Sequence, residues 1–121
     1  MGTLYVARRT LILAEVNGTL LATVAATNVL QFTAPRRGLY RVTPYLEVAT
    51  APTVVTVEVT WTDPVKGADT FSWYTAQSLV VDDYSLSSQL IRSTGGGLIT
   101  LVITAGTANN VTANAWLEGR A

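Results

Sequence analysis

One ten-residue stretch decides the fold class: Thr53-Val54-Val55-Thr56-Val57-Glu58-Val59-Thr60-Trp61-Thr62. Apolar and polar side chains alternate along it with the two-residue period of a half-buried β-strand. Val55, Val57, Val59 and Trp61 are predicted to face a core, and the residues between them to face outward. The stretch therefore predicts a strand that covers a core on one side only.

The same kind of pattern extends over the rest of the chain. Gly38 to Val48 reads as a second long strand, whose core face carries Tyr40, Val42, Pro44, Leu46 and Val48. Pro44 cannot donate a backbone hydrogen bond, which indicates a sheet edge or a bulge. Asn17-Gly18 between apolar runs predicts a hairpin over 10–24. About eight to ten short strands at this spacing are typical of a sandwich or a barrel. We predict an all-β protein, an antiparallel jelly-roll β-sandwich.

Charge is sparse. The net charge is zero, and charged residues make up 13% of the chain, against about 25% in an average domain. The 19 threonines supply part of the missing polar surface, so one interpretation is a threonine-coated monomer. The other, which we favour, is that a large face is buried against further subunits. We expect one domain over 10–121, preceded by an N-terminal arm, 1–9.

The composition also limits which kinds of functional site the chain can contain. The chain has no Cys and no His, so it holds no disulfide, no thiolate metal site and none of the commonest general base. We therefore expect no enzyme, no cofactor and no metal site. The neutral balance argues against nucleic acid or a membrane as partner. The first residues do not form a signal peptide, and we interpret the glycosylation motifs at Asn17 and Asn110 as turns.

Three possible sites in the sequence are weak. Gly95-Gly96-Gly97 leads into a strand, so it is better explained by a tight turn or a close backbone approach than by a phosphate loop. Asp82-Asp83 lacks the spacing of a calcium loop. Glu47 and Glu58 lie on outward faces of two long strands and could lie close together, as in the carboxylate pair of a glycoside hydrolase. Ordinary surface charge is the better interpretation of them.

The aromatic residues fall into two groups. Trp61 and Trp73 lie on strand faces that we predict to be inward, so both are expected in the core. Tyr45 and Tyr74 are predicted to face outward in their strands. Together with Trp116 in the last strand, they are candidates for a subunit interface or a ligand platform.

A family resemblance rests on the run Phe32-Thr33-Ala34-Pro35-Arg36-Arg37-Gly38-Leu39-Tyr40-Arg41-Val42. It resembles the Phe-x-Ala-Pro-x-x-Gly-x-Tyr segment of trimeric complement-C1q/tumour-necrosis-factor-type jelly rolls. The stretch from Leu98 to Thr104 and the closing Ala115-Trp116-Leu117-Glu118 are similar to the last strands of phage structural proteins of that type. The resemblance implies a non-enzymatic homotrimer, with Tyr40 packed in or near the core.

From this resemblance we expect a bacteriophage virion structural protein of the capsid decoration type, located in the virion. Its partners would be its own copies and the major capsid protein or another virion protein. The N-terminal arm would dock on the head surface, with Leu4, Tyr5, Arg8 and Arg9 as capsid contacts. The alternative is a receptor- or glycan-binding tip of a phage tail fibre or spike.

Overall fold

The computed structural model describes residues 10–120, which form nine strands. These are β1 (Thr10–Leu20), β2 (Thr27–Thr33), β3 (Gly38–Val48), β4 (Thr53–Asp63), β5 (Gly67–Leu79), β6 (Asp82–Ser85), β7 (Gln89–Ser93), β8 (Leu98–Ala105) and β9 (Val111–Arg120). The predicted N-terminal arm, residues 1–9, lies outside the described residues, and so do Leu4, Tyr5, Arg8 and Arg9. Within 10–120, no helix is long and apolar enough to cross a membrane.

Two antiparallel sheets pack face to face as a sandwich. The first sheet has the order β1-β9-β3, and the far side of β3 is shared by β6 and β7. The second sheet has the order β2-β8-β4-β5. The predicted all-β antiparallel sandwich is confirmed, and the arrangement is consistent with a jelly roll.

The core lies between the sheets and is built by the predicted alternation. Val55, Val57 and Val59 of β4 are fully buried, so the deciding stretch is confirmed. Trp61 and Trp73 are half-buried and pack against the core. The inward residues of the other central strands are all buried: Tyr40, Val42, Leu46, Val48, Ile99, Leu101, Ile103, Val111, Ala113, Ala115 and Leu117.

The predicted hairpin at Asn17-Gly18 is wrong. β1 runs through these residues as one strand and pairs with β9 on both sides of them. The register shifts between Val16 and Thr19, so the pair forms a β-bulge opposite Asn114. Gly18 adopts a φ of 73°, and its N–H donates to Asn114 Oδ1 at 2.7 Å. The positive φ that favours a tight hairpin also favours a bulge, and β9 pairs with β1 on both sides of it.

Pro44 lies in a central strand, so its predicted place at an edge or bulge is also wrong. On one side Pro44 is opposite Ala115 of β9. On the other side β3 changes partner: β7 pairs up to Val42 and β6 begins at Tyr45. The missing N–H falls in this gap, where the Pro44 carbonyl accepts from Leu86 N–H at 3.2 Å. The chain between residues 82 and 93 is divided here into β6 and β7.

Candidate functional site

Tyr45 and Trp116 lie on the outer face of the first sheet. Trp116 of β9 is directly opposite Thr43 of β3 on one side and Glu15 of β1 on the other. Tyr45 is two residues beyond Thr43, on the same face of β3. Because side chains of opposed and diagonal residues are neighbours across a sheet, the register brings the two aromatic residues into one area.

Four exposed apolar residues surround this pair. Ile12 and Leu20 on β1, Leu39 on β3 and Leu90 on β7 point outward, and their side chains are between 49% and 60% exposed. We call this outer surface, with Tyr45 and Trp116 at its centre, the aromatic face. Clustered exposed apolar side chains of this kind occur at interaction surfaces.

Charges of both signs are placed between the apolar residues. Arg41 is directly opposite Glu118, a favourable cross-strand arrangement. Glu47 is directly opposite Asp83, which brings two like charges together. Partial burial of the ring, followed by the Asp83 carboxylate, raises the pKa of the Tyr45 hydroxyl above its usual value of 10.0.

Thr43 shows how the centre of the face is held. Its side chain points outward, yet it is only 7% exposed, and its Oγ1 lies 2.6 Å from Ser88 Oγ. From the other sheet, Trp73 Nε1 donates to the Ser87 carbonyl at 2.7 Å. The segment between β6 and β7 is therefore fastened from both sheets beside the aromatic face.

Tyr74 faces the core, so its predicted outward position is wrong. It is directly opposite the buried Val57, whereas the next pair joins Glu58 to Ser72. Trp73 is thus an extra residue, a β-bulge that reverses the alternation along β5. Tyr74 is half-buried and packs against the core, and this burial raises the pKa of its hydroxyl. Of the three predicted interface residues, the structure places Tyr45 and Trp116 together and Tyr74 elsewhere.

The edges of both sheets are irregular. The edge strands β1, β2 and β5 each contain at least one register shift. The remaining edge of the first sheet consists of β6 and β7, which have 4 and 5 residues. Bulges and short strands prevent edge-to-edge pairing. Contacts with partners are therefore expected on the faces and the ends of the sandwich.

The structure shows where the weak candidate sites of the sequence lie. Glu47 and Glu58 belong to strands of different sheets and point from opposite faces of the sandwich, so the idea that they lie close together is wrong. In the described part of the chain, no group of three or more acidic residues is placed to hold a metal ion. A Cβ on Gly95 would lie 3.1 Å from Arg37 N, which confirms the close backbone approach.

Asn110 is buried and fastens two loops at one end of the sandwich. Its Oδ1 accepts from Thr50 N–H at 2.8 Å and Ala51 N–H at 3.2 Å, and its Nδ2 donates to the Ala51 carbonyl at 2.6 Å. The side chain is 1% exposed. The interpretation of this motif as loop chemistry is confirmed.

Comparison with known proteins gives a distant structural likeness among solved structures. No protein-family model and no curated protein matches the chain. The sandwich is similar to part of a Clostridium thermocellum structure, the N-terminal CBM22-1–GH10 modules of endo-1,4-beta-D-xylanase 10B complexed with xylohexaose. Sequence identity is 13% and the TM-score is 0.45. The match covers 87% of this chain but 21% of that chain, and it carries no argument about what this chain binds.

Proposed function

We propose that this chain is a non-enzymatic structural protein of a phage particle, which assembles through its aromatic face and decorates the head. The observation that carries the proposal is the common position of Tyr45 and Trp116 among exposed apolar residues. Aromatic residues are enriched at the centres of protein interfaces. Copies of the chain are the occupants that we assign to this face.

The geometry of the sheets favours association through a face. Three edge strands are bulged and the fourth edge is broken into two short strands, so edge pairing is disfavoured. The aromatic face, by contrast, spans the neighbouring strands β1, β9, β3 and β7. A broad surface of this kind suits subunits that pack around a common axis.

The number three comes from the resemblance to complement-C1q/tumour-necrosis-factor-type jelly rolls. One expectation of that resemblance is met, because Tyr40 is 4% exposed and its hydroxyl donates to the Arg36 carbonyl at 2.7 Å. The Ala34-Pro35 turn is thereby tied to β3. A homotrimer would cover the aromatic face of every copy and leave the second sheet outside.

For head binding we propose the N-terminal arm, with Leu4, Tyr5, Arg8 and Arg9 contacting the capsid protein. β1 begins at Thr10 beside the end of β9, at the same end of the sandwich as Arg36 and Arg37. An arm at this end would place several cations against an acidic capsid surface. Many copies, each bound weakly, would then hold the shell.

The experiment combines oligomeric state and head binding. Light scattering of the purified chain is expected to give the mass of three copies, and the chain is expected to co-sediment with empty phage heads. Deletion of residues 2–9 should abolish co-sedimentation and leave the trimer intact. A monomer in dilute solution would overturn the assembly proposal, and unchanged head binding of the deletion variant would overturn the role of the arm.

A glycan-binding fibre tip is the second candidate. The observation that favours it is the tyrosine–carboxylate arrangement of Tyr45, Asp83 and Glu47, since carboxylates and an aromatic ring are common in sugar sites. Binding of the isolated chain to host surface polysaccharide, lost in Tyr45→Ala, would favour this function. Head binding without polysaccharide binding would exclude it.

A further inference from the structure

The two ends of the sandwich differ in charge: one holds all the described cations together with Asp63, Asp69 and Glu118, and the other holds only carboxylates. We call the end that contains the β4–β5 turn the Lys66 end, and the end that contains the β5–β6 connection the Asp82 end. Every described cation lies in the half nearer the Lys66 end: Arg36, Arg37, Arg41, Lys66, Arg92 and the backbone position of Arg120. In the described residues, the Asp82 end holds Glu47, Asp82 and Asp83 and no Lys or Arg.

The Asp82 end also has an apolar pocket. Its volume is about 220 Å³, and it is lined by the ends of β4 and β5 together with Pro52 and Val80. Val54, Val80 and Val81 beside it are between 45% and 63% exposed. The acidic pair Asp82-Asp83 follows directly in the sequence. This end therefore combines an apolar depression with adjacent carboxylates.

The Lys66 end carries the complementary feature. Val65, at the tip of the β4–β5 turn, is 74% exposed, more than any other large apolar side chain of the described residues. Lys66 is its neighbour in the sequence. Asp63 Oδ1 accepts hydrogen bonds from Val65 N–H at 2.8 Å and Lys66 N–H at 3.0 Å, and Arg92 Nη2 lies 3.7 Å away.

The turn is thus held in one shape. The two backbone donors, and more weakly Arg92 and Lys66, keep the pKa of the Asp63 carboxyl below its ordinary value. The carboxylate remains ionised and bound to the turn at neutral pH. A loop that is ordered before it binds loses little conformational freedom on association, so Val65 is presented as a fixed apolar knob beside a cation.

We infer that copies of this chain stack end to end, with the Val65-Lys66 turn of one copy seated in the pocket of the next and Lys66 facing Asp82 and Asp83. The turn and the pocket are the two ends of one ribbon, β4 and β5. A shift along the strand direction therefore brings the turn of one copy toward the pocket of another. Such a contact is heterologous, because different surfaces meet, and it can repeat along a line.

Neither end defines a partner alone. Three carboxylates without a cation nearby would be an ordinary acidic surface, and an exposed valine on a turn is common. What identifies a second copy as the occupant is the match of two features, knob with pocket and cation with carboxylate, at opposite ends of one ribbon. The inference goes beyond the proposed function and holds for monomeric or trimeric stacking units.

Sedimentation velocity over a series of concentrations tests the inference. At an ionic strength of about 0.01 M, where the Debye length is about 30 Å, the mass is expected to rise with concentration. At about 1 M, where the Debye length is about 3 Å, the chain should sediment as the single unit. Val65→Ser should raise the concentration of half-association at least about tenfold, a loss of about 1.4 kcal/mol. A mass that changes with neither concentration nor salt would overturn the inference.

Leu98→Ser is the matched control. Leu98 is 47% exposed and lies at the same end of the sandwich, but outside the turn. It should leave stacking unchanged, and thermal melting by circular dichroism should show both variants folded. Equal loss of stacking in Leu98→Ser and Val65→Ser would contradict the assigned contact.

A charge exchange provides the sharpest test. Lys66→Glu and Asp82→Lys should each lose stacking when alone, because like charges then meet at every contact. An equimolar mixture should recover it, since the altered turn of one variant meets the altered pocket of the other. Failure of the mixture to recover would overturn the pairing of Lys66 with Asp82. The mass at high salt reports the trimer separately, so a failed trimer and a failed stack are distinguishable.

Discussion

The two outer faces of the sandwich differ although the same alternation of residues produces them. The aromatic face has Tyr45 and Trp116 at its centre and six charged residues among its described outward positions: Glu15, Arg41, Glu47, Asp83, Arg92 and Glu118. The outer face of the second sheet, which we call the threonine face, has the row Gln31–Thr100–Thr60–Thr70 across its four strands. Among its paired outward positions, Glu58 is the only ionisable residue.

This difference between the faces bears on the inference that was drawn from the low fraction of charged residues. The charge deficit lies on the threonine face, where hydroxyl groups meet water in place of ions. The exposed apolar residues and the aromatic pair lie on the other face, among charges. Sparse charge therefore does not by itself identify a surface that a partner covers. The threonine coat describes the outer face of the second sheet, and a face hidden against other copies stays a prediction for the aromatic face.

The largest expected effect comes from adding a charge to each face. Trp116→Glu should weaken subunit association by at least about 30-fold, the effect of losing about 2 kcal/mol at an interface centre. Thr60→Glu, on the opposite face, should leave association unchanged. Light scattering over a dilution series, with melting curves for both variants, measures this. If the two variants behave alike, the faces do not differ in function.

A smaller effect separates two buried threonines. Thr43 on the aromatic face and Thr100 on the threonine face both point outward, and each is 7% exposed. Thr43 is hydrogen-bonded to Ser88, whereas the Thr100 hydroxyl has no protein partner among the described residues. Thr43→Val should lower the free energy of unfolding by about 1 kcal/mol.

Thr100→Val is the control for that substitution. It should change the free energy of unfolding by less than about 0.5 kcal/mol, because no hydrogen bond is lost. Urea denaturation followed by fluorescence gives both values. A larger loss for Thr100→Val than for Thr43→Val would mean that the Ser88 contact does not hold the centre of the aromatic face.

The smallest effect is on the titration of two tyrosines. The pKa values of Tyr45 and Tyr74 are both raised above 10.0, so folding favours their protonated forms. This contribution to stability is present below pH 10 and is lost as the pH rises through the folded-state pKa values. Ultraviolet absorbance should show both phenols ionising later than a model tyrosine.

Asp83→Asn separates the effect of the Asp83 carboxylate on the pKa of Tyr45 from the effect of burial. The substitution should lower the pKa of Tyr45, which lies beside that carboxylate. It should leave the pKa of Tyr74 unchanged, because burial is the leading cause of that shift. Tyr45→Phe and Tyr74→Phe assign the two transitions. A shift of Tyr74 in Asp83→Asn would contradict its position on the core side of β5.

The alternation along 53–62 was enough to predict β4, its buried valines and the class of fold. The core face of β3 was predictable for the same reason, since a period of two leaves few arrangements for a half-buried strand. What the pattern lacks is the identity of each strand's partner. For this reason Asn17-Gly18 was predicted as a hairpin, and the pattern left open that Glu47 and Glu58 lie close together.

The candidate site was predictable only in part. Tyr45 and Trp116 were identified as outward residues, but their common area depends on the register of β3 with β9. One bulged residue, Trp73, turned Tyr74 inward, and nothing in the local sequence marks that bulge. Val65 and the pocket were missed altogether. An apolar residue at the centre of the Pro64-Val65-Lys66 turn was the signal that could have identified them.

The buried amide of Asn110 has a practical consequence for producing the chain. An oligosaccharide on this asparagine would replace one proton of the Nδ2 that binds the Ala51 carbonyl, in a place with no room for a sugar. In a eukaryotic secretory host, where attachment precedes folding, a glycan on Asn110 would therefore oppose the burial of this side chain. Asn17, in the other glycosylation motif, is exposed, so a glycan there would not meet the same obstacle.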